Sequence, residues 1–341
     1  MFRISRLAYC AIAMVSAAGL GGCANGTGNQ ATAGAPEQSN IVVDSVPAAE
    51  EGGLYVAQAS GFFKQQGLNV TIDPITGGEA GIPNLQSGRA QLIGGNYVSF
   101  VLAQMAGQFN GKPASFSIVA AGSQILAGTE ALYVLPGSRF KTVADLAAAH
   151  ATVGLNTPHD VGQVLLGALL AQYGYPISSV RQVTPSNGFP ALMTMLKSGT
   201  VDAAWLPQPF ATIAQQEYGA TELADFDQGP LEEFPFTGYI GMSSWAKSHP
   251  NTVAAFDRAL EQGQQLADSD AIAVQQAFEK YVGLPPIIAT TMPYDTYPLS
   301  VSAAQIQRVS NAMYEFGLEP GRATAYPLAR MIDQTAAASG A

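Results

Sequence analysis

This chain of 341 residues has few of the residues on which nucleic-acid-binding proteins and most enzymes depend. Charged residues make up only 12% of it, and its net charge is −10 with no run of Lys or Arg. An acidic chain without a basic patch is a poor partner for nucleic acid or for the anionic face of a membrane. We therefore expect no direct contact of the folded part with either.

Cysteine and histidine are equally scarce. The two cysteines, Cys10 and Cys23, lie near the N-terminus, so the remaining chain has no thiol for a disulfide, a metal or nucleophilic catalysis. The three histidines, His150, His159 and His249, form no His-x-x-x-His pair, and no metalloprotease, hydrolase or phosphate-loop motif occurs. We expect no catalytic residues, no cofactor and no metal site, and therefore a protein that is not an enzyme.

The N-terminus has the pattern of an export signal. Arg3 and Arg6 precede a mostly apolar stretch at residues 7–20, which is shorter than the roughly 20 residues that a membrane-spanning helix needs. Positive residues followed by a short apolar segment are typical of a signal peptide. We predict that residues 1–22 are removed and that the protein is exported.

The apolar stretch ends in Leu-Gly-Gly-Cys at residues 20–23, which is similar to the lipobox of bacterial lipoproteins. The Cys of that motif is lipidated and becomes the new N-terminus. We therefore predict a lipid on Cys23 and anchoring to the outer face of the cell membrane. Residues 23–39 are rich in Gly, Ala, Asn, Thr and Gln, which is typical of a flexible tether.

Two parts of the chain share one pattern. Residues 85–88 (Leu-Gln-Ser-Gly) and 196–199 (Leu-Lys-Ser-Gly) each predict a helix that ends at Gly, followed by a short apolar strand. A strand, a helix and a second strand precede each copy, beginning near Ile41 and near Thr152. This alternation predicts a largely parallel sheet with right-handed crossovers in each half.

The two halves predict an α/β protein with two Rossmann-like lobes. Two isolated strand-like runs, Ala131–Leu135 and Phe236–Met242, are interpreted as the segments that cross between the lobes. The first lobe would contain residues 40–128 and 238–341, and the second residues 129–237. Ligands bind beyond the carboxyl ends of parallel strands, so two facing sheet edges predict a cleft.

The second lobe offers a candidate helix N-terminus at residues 157–160 (Thr-Pro-His-Asp). Thr157 is a good N-cap, and Asp160 three residues later fits the capping-box spacing. His159 would then lie on the first helical turn and could contact a solute, with a protonation that changes near neutral pH. The alternative is a solvated His at the surface.

A second candidate loop begins at Trp205. This residue ends a strand at the predicted edge of the cleft, where its ring could cover an apolar or planar group. The alternative is a ring buried under its own helix. Gln208 can both donate and accept hydrogen bonds, and Phe210 closes the same loop.

In the first lobe, Asn96 and Tyr97 occupy the place equivalent to Trp205. Asn96 could serve only as an N-cap, which makes Tyr97 the stronger candidate contact. Gly77 and Gly78 would let the backbone approach a solute closely, or would simply form a tight turn. Both pairs lie at predicted strand ends, where the cleft is expected.

Acidic residues outnumber basic ones in these loops. Glu50, Glu51 and Glu79 lie on loops of the first lobe, where carboxylates are usually solvated. Any that faced the cleft would oppose an anionic solute. No Arg is placed to clamp a carboxylate or a phosphate.

Several stretches resemble the SsuA/TauA-type solute-binding proteins, also called NMT1/THI5-like. The resemblance covers residues 41–241 well and the tail more loosely. The matching stretches are Gly53–Gln58, Gly61–Lys64, Gly67–Val70, Leu85–Gly88, Asn156–Thr157 and Asp202–Phe210.

The resemblance implies a type II periplasmic-binding-protein fold with two crossings between lobes. It also implies a monomer that delivers nitrate, alkanesulfonates, taurine or thiamine-pyrimidine precursors to the permease of an ABC importer. Relatives place their ligand contacts on loops that correspond here to Pro47–Gly53, Gly77–Glu79 and Trp205–Phe210. These loops include those singled out above.

Two alternatives to a sulfonate-like or nitrate-like solute remain. An aromatic heterocycle is favoured by Trp205, by Tyr97 and by the missing Arg clamp. An enzyme of the pyrimidine-synthase kind on the same fold is the less favoured alternative, because those synthases carry a Cys-rich motif and the body of this chain has no Cys.

Overall fold

The structure is a computed structural model. It describes residues 34–106, 115–319 and 321–333, together with the backbone of residues 108–109 and 112–113. The predicted signal peptide, the predicted lipid site at Cys23 and the first part of the predicted tether lie outside the described residues. Among the helices that are described, none combines the length and the apolar character needed to cross a membrane.

Two five-stranded sheets form the framework. The first sheet consists of β1 (Asn40–Ser45), β2 (Asn69–Pro74), β3 (Leu92–Asn96), β6 (Phe116–Ala121) and β12 (Thr237–Met242). The second consists of β7 (Glu130–Val134), β8 (Thr152–Gly154), β9 (Arg181–Val183), β10 (Ala203–Pro207) and β11 (Thr221–Asp225). A separate ribbon pairs β4 (Gln108–Phe109) with β5 (Lys112–Pro113).

Helices cover the faces of both sheets. In the first part of the chain they are α1 (Gly52–Ala59), α2 (Phe62–Gln65), α3 (Gly78–Ser87) and α4 (Tyr97–Ala106). The second lobe has α5 (Val143–Ala148), α6 (Val161–Gln172), α7 (Gly188–Lys197) and α8 (Phe210–Tyr218). The tail contains α9 (Ser243–Ser248), α10 (Pro250–Ser269), α11 (Ala271–Tyr281), α12 (Pro286–Thr291) and α13 (Ala303–Glu315).

Both sheets are mixed, and one strand in each runs against the others. The order in the first is β2-β1-β3-β12-β6, and β12 is antiparallel to both of its neighbours. The order in the second is β11-β7-β10-β8-β9, and β7 is antiparallel to both of its neighbours. The strands that follow the predicted repeat are parallel, as expected from their crossover helices.

The two antiparallel strands correspond to the runs interpreted as crossings. Each strand itself belongs to a sheet, and the chain changes lobe just before it, at residues 122–129 and 226–236. The predicted pair of crossings and two α/β lobes is therefore confirmed, with the crossing placed a few residues earlier.

The matching helix ends are also confirmed. α3 is capped at its end by Gly88 with a φ of 76°, and α7 is followed by Gly199 with a φ of 70°. Left-handed backbone of this kind favours Gly, which has no Cβ to clash with the preceding carbonyl. These two residues turn each chain segment from its helix into β3 and β10.

The end of the predicted tether is fixed to the tail. The Glu37 carboxylate accepts hydrogen bonds from the backbone N–H of Asn251 and of Thr252, at 3.1 and 2.9 Å. These N–H groups belong to the first turn of α10, where a helix has no internal acceptors for them. Burial raises the pKa of Glu37, but these hydrogen bonds outweigh it and lower the pKa to about 2.

Candidate functional site

The strand-end loops of the two lobes touch each other. The Ala49 backbone N–H donates to the Gln208 carbonyl oxygen at 2.9 Å. The Thr157 hydroxyl donates to Glu79 Oε1 at 3.2 Å. The loops are therefore brought together at the carboxyl ends of the strands, with the lobes closed on each other.

A small cavity of about 20 Å³, the central cavity, lies between the lobes. Its first-lobe wall includes Glu50, Thr76, the Gly77–Gly78 pair and Asn96, and its second-lobe wall includes Asn156 and Trp205. A neighbouring cavity of about 120 Å³ is lined by Pro47 and Phe210, among others. Ligand pockets usually measure roughly 300–1,000 Å³, so a solute requires the lobes or the lining side chains to move.

The second-lobe wall is aromatic. The ring of Phe189, near the start of α7, stands edge-on to Trp205 with centroids 5.2 Å apart and stacks on Phe210 at 5.1 Å. Trp205 is 1% exposed, because Gly162 of α6 lies directly against its ring. Phe236 completes the apolar lining from the second crossing.

Trp205 also holds a carboxylate in place. Its indole Nε1–H donates to Glu130 Oε2 at 2.5 Å, and Glu130 is the first residue of β7. The partner of Glu130 in the sheet is Pro207, two residues after Trp205. The antiparallel register of β7 and β10 therefore brings the Trp and the Glu together.

Carboxylates are concentrated at this end of the lobes. Glu50, Glu51, Glu130 and Asp295 are all buried. Burial and the charge of Asp295 raise the pKa of Glu50 well above its usual range, and burial and the charges of Glu50 and Asp295 do the same for Glu130. Burial raises the pKa of Glu51 to about 8, although the Tyr239 hydroxyl, which donates to it at 2.5 Å, lowers it.

The helix expected at Thr157 begins later. α6 starts at Val161, and its N-cap is Asp160, whose side chain makes no capping hydrogen bond. The Asp160 carboxylate instead crosses to the first lobe, where it accepts from the Ser99 hydroxyl at 2.8 Å. Burial and the charge of Glu79 raise the pKa of Asp160 to about 6. The expected Thr157 cap was therefore wrong, because this carboxylate is committed to the other lobe.

The other predicted contact residues fall into two groups. Gly77, Gly78 and Asn96 line the central cavity, and Asn96 also caps α4 by accepting from the Ser99 N–H at 2.8 Å. Tyr97 packs its ring over Gly238. The side-chain amide of Gln208 makes hydrogen bonds within the fold: its N–H donates to the Gly128 carbonyl oxygen, and its oxygen accepts from the Thr212 hydroxyl.

His159 lies on the exposed loop before α6 with a φ of 54°. Together with Glu79 and Thr157 it lines an outer groove of about 380 Å³ beside α3 and α4.

Sequence reasoning missed Phe189, Phe236, Asn156 Oδ1 and the pair Glu130 and Asp295. Thr157 was singled out as a helix cap, whereas no contact with a solute was predicted for the neighbouring Asn156. Phe189 follows the Asn-Gly turn equivalent to the Gly77–Gly78 loop, so the repeat itself contained a signal for it. Asp295 lies 165 residues beyond Glu130 in the tail, and no local pattern connects the two.

Comparison with known structures defines the class. The chain resembles the periplasmic aliphatic sulphonate binding protein SsuA of Escherichia coli, with a TM-score of 0.69, 18% identity, and coverage of 88% of this chain and 99% of that one. It resembles the periplasmic nitrate-binding protein NrtA of Synechocystis PCC 6803 with a TM-score of 0.74 and 14% identity over 89% and 88% of the two chains. The fold is therefore that of the periplasmic binding proteins.

The family follows from the sequence. Residues 49–270 match the model of the family described as NMT1/THI5 like, and the chain belongs to that family. A curated relative, named "Putative binding protein YtlA" in Bacillus subtilis (strain 168), is 23% identical over 219 residues. That match covers 63% of this chain and 62% of the relative's length.

Proposed function

We propose that this chain is the solute-binding component of an ABC importer, which captures a small solute between its lobes and delivers it to a permease. The observation that supports this most directly is the convergence of strand-end loops from both lobes on one cavity, with Gly77, Asn96, Asn156 and Trp205 in its walls. In this proposal the exported protein is a monomer, held at the outer face of the membrane by a lipid on Cys23.

For the solute, we propose a flat nitrogen heterocycle with N–H donors in preference to nitrate or an alkanesulfonate. The walls provide the rings of Phe189, Trp205 and Phe236 for stacking. Asn156 Oδ1, in the cavity wall, is a buried acceptor without a hydrogen-bond partner among the described residues. Buried acceptors without partners favour a ligand that donates.

An anion would find few groups to bind its charge in the same place. The cavity wall contains Glu50, and Glu51, Glu130 and Asp295 are buried close by. Among the residues that the structure describes, no Lys, Arg or His lines the central cavity. A sulfonate or nitrate would therefore depend on backbone N–H groups while lying beside carboxyl groups, whereas a neutral or cationic ring would not.

The test is to identify what the mature protein retains and what it binds. We expect mass spectrometry of the denatured protein to release an unmodified heteroaromatic compound. Calorimetry should then show tight binding of aminopyrimidines and none of nitrate, taurine or alkanesulfonates. Tight binding of one of those anions would overturn the proposed solute class, and no binding of any small solute would overturn the transport function.

Matched variants connect the binding to the cavity. Phe210→Ala removes a ring that stacks on Phe189 of the cavity wall, and we expect binding to weaken about two- to tenfold, because the Phe189 ring loses the contact of about 0.5–1.5 kcal/mol that holds it in position. Tyr173→Ala removes a ring that is 49% exposed on the far side of the second lobe and should leave the affinity unchanged. Equal affinities for the two variants would place the solute elsewhere.

If the chain were an enzyme, the compound released from it would distinguish this from a binding protein. A synthase would release a compound that differs from the one supplied, whereas a binding protein returns its ligand unchanged. Incubation of the protein with the identified compound, followed by denaturation and mass spectrometry, distinguishes the two.

A further inference from the structure

Three buried carboxylates from distant parts of the chain meet at one point. Glu50 lies in the short 3-10 helix Ala49–Glu51 of the first lobe, Glu130 begins β7 of the second, and Asp295 lies in the tail between α12 and α13. One oxygen of each lies within 4.8 Å of the others. Their exposed fractions are 7%, 1% and 4%.

Four carboxyl oxygens of this cluster are buried without a well-formed hydrogen bond. Glu50 Oε2, Glu130 Oε1 and both oxygens of Asp295 are buried and lack a geometrically formed hydrogen bond within the described part of the chain, although the Thr129 hydroxyl, which donates to the Leu126 carbonyl oxygen, lies close to Asp295. The other oxygen of Glu130 is occupied by the Trp205 indole. The ion pairs found among the described residues, Lys197–Glu217 and Glu319–Arg322, lie elsewhere in the chain.

Buried carboxylates that are neither paired nor hydrogen-bonded are strongly unfavourable. A bound cation would offset the cost of burying all three carboxylates, and the spacing of their oxygens allows one cation to contact all three. A Ca²⁺ ion bonds oxygen at about 2.3–2.6 Å, so two of its ligands lie at most about 5 Å apart. The three oxygens satisfy this limit.

We propose that Glu50, Glu130 and Asp295 bind a divalent cation of the oxygen-preferring kind, Ca²⁺ or Mn²⁺. The ligand set contains no nitrogen or sulfur, which disfavours Zn²⁺ and Cu²⁺. Mg²⁺ usually keeps several water ligands, and the adjoining cavity has little room for them. Because the ligands come from both lobes and the tail, the cation joins the three segments in the closed arrangement.

The position of Trp205 gives a direct probe. A Tb³⁺ ion bound to Glu130 would lie next to the indole that donates to the same carboxylate, so excitation of Trp205 would produce sensitised Tb³⁺ emission. The chain contains two Trp residues, and Trp245→Phe leaves Trp205 as the remaining one. We expect this variant to show saturable emission that Ca²⁺ or Mn²⁺ displaces and that Zn²⁺ displaces poorly.

Isosteric variants assign the signal to the cluster. In the Trp245→Phe background, Glu130→Gln and Asp295→Asn should each abolish the saturable emission, and Glu232→Gln, an exposed position, should retain it. The variants remove a buried charge and are expected to fold. Their melting temperatures in chelator should equal or exceed that of the parent, and Ca²⁺ should raise the melting temperature of the parent alone.

Three results would overturn the proposal. The first is the absence of saturable Tb³⁺ emission. The second is emission that survives both Glu130→Gln and Asp295→Asn, which would indicate binding to surface carboxylates. The third combines two observations: Ca²⁺ does not change the melting temperature of the parent, and both variants abolish solute binding. The cluster would then bind a cationic group of the solute and not a metal ion.

Discussion

At the scale of single residues, Asp160 is the clearest link between the lobes. Its carboxylate belongs to the second lobe and accepts hydrogen bonds from Ser99 and Asn96 of the first, while Glu79 raises its pKa by charge. The group is buried in the closed arrangement and would reach water when the lobes separate. Its protonation is therefore coupled to both folding and closure.

We predict that Asp160 makes the closed protein less stable as the pH rises from about 4 to about 6. The pKa is raised from 3.8 to about 6, so in this window the folded state holds a proton that the unfolded state has lost. Stability falls with pH where the folded state binds more protons. The loss is on the order of 3 kcal/mol, at about 1.4 kcal/mol per pKa unit.

Urea unfolding of the parent and of Asp160→Asn checks this prediction. Other buried acids also titrate, so the relevant quantity is the difference between the two proteins at about pH 4 and about pH 7. The variant should gain stability relative to the parent on going to the higher pH. Parallel pH profiles for the two proteins would contradict the predicted coupling.

The sequence indicates the loops of this site better than it indicates the roles of the residues on them. The strand-end loops with Gly77, Asn96 and Trp205 were predictable because β-α alternation fixes which strand ends share an edge. The burial of Glu50 was not predictable, since carboxylates on loops are usually solvated. Its partners Glu130 and Asp295 come from a strand end and from the tail, and only the folded chain brings them together.

At the scale of elements, the contact between α1 and α10 attaches the tail to the first lobe. The helices approach so closely that a Cβ on Gly263 would lie 2.3 Å from the Gly53 carbonyl oxygen and 2.6 Å from the Cβ of Ala57. A Cβ on Gly53 would in turn lie 2.6 Å from Cγ of Gln264. Gly at both positions allows the backbones to touch.

We predict that Gly263→Ala destabilises the protein by about 1–3 kcal/mol, the usual effect of overpacking. The direction of the change in the free energy of unfolding is informative. At an exposed position of a helix, Ala stabilises by up to about 1 kcal/mol relative to Gly, so destabilisation here indicates a close contact. Gln265→Ala, at an exposed position of the same helix, is the control and should change little. Chemical denaturation measures both, and a stabilised Gly263→Ala protein would refute the close contact.

Elements were predicted well where periodicity and turn residues agreed, as at the helix ends Gly88 and Gly199. The helix cap predicted at Thr157 was wrong. A Thr-Pro-x-Asp pattern is typical of a helix start. Here, however, the Asp160 carboxylate accepts a hydrogen bond from the Ser99 hydroxyl of the other lobe, and α6 begins at the next residue. Tertiary contacts decide such cases, and a local pattern contains no information about them.

At the scale of the whole molecule, the lobes differ in how the chain builds them. All five strands of the second sheet come from one continuous stretch, residues 130–225. The first sheet takes four strands from residues 40–121 and its fifth, β12, from residues 237–242. That late strand lies between β3 and β6, which have no direct pairing with each other.

We predict that a chain ending at residue 236 folds its second lobe and leaves its first lobe unfinished. Hydrogen exchange should show protected amides in β7, β8 and β10 and fast exchange in β6, because the strand that pairs with β6 is β12, which the shortened chain lacks. The full-length chain, with protection in both sheets, is the control. Equal protection of the two sheets in the shortened chain would contradict the prediction.

The position of β12 also sets an order of events on the ribosome. The N-terminal lobe emerges first but must wait, with the edges of β3 and β6 open, until more than a hundred further residues have been synthesised. Open strand edges of this kind are sites of aggregation. A chain that emerges in this order benefits from a chaperone that delays pairing, and a translational pause before residue 237 would lengthen its period of greatest risk.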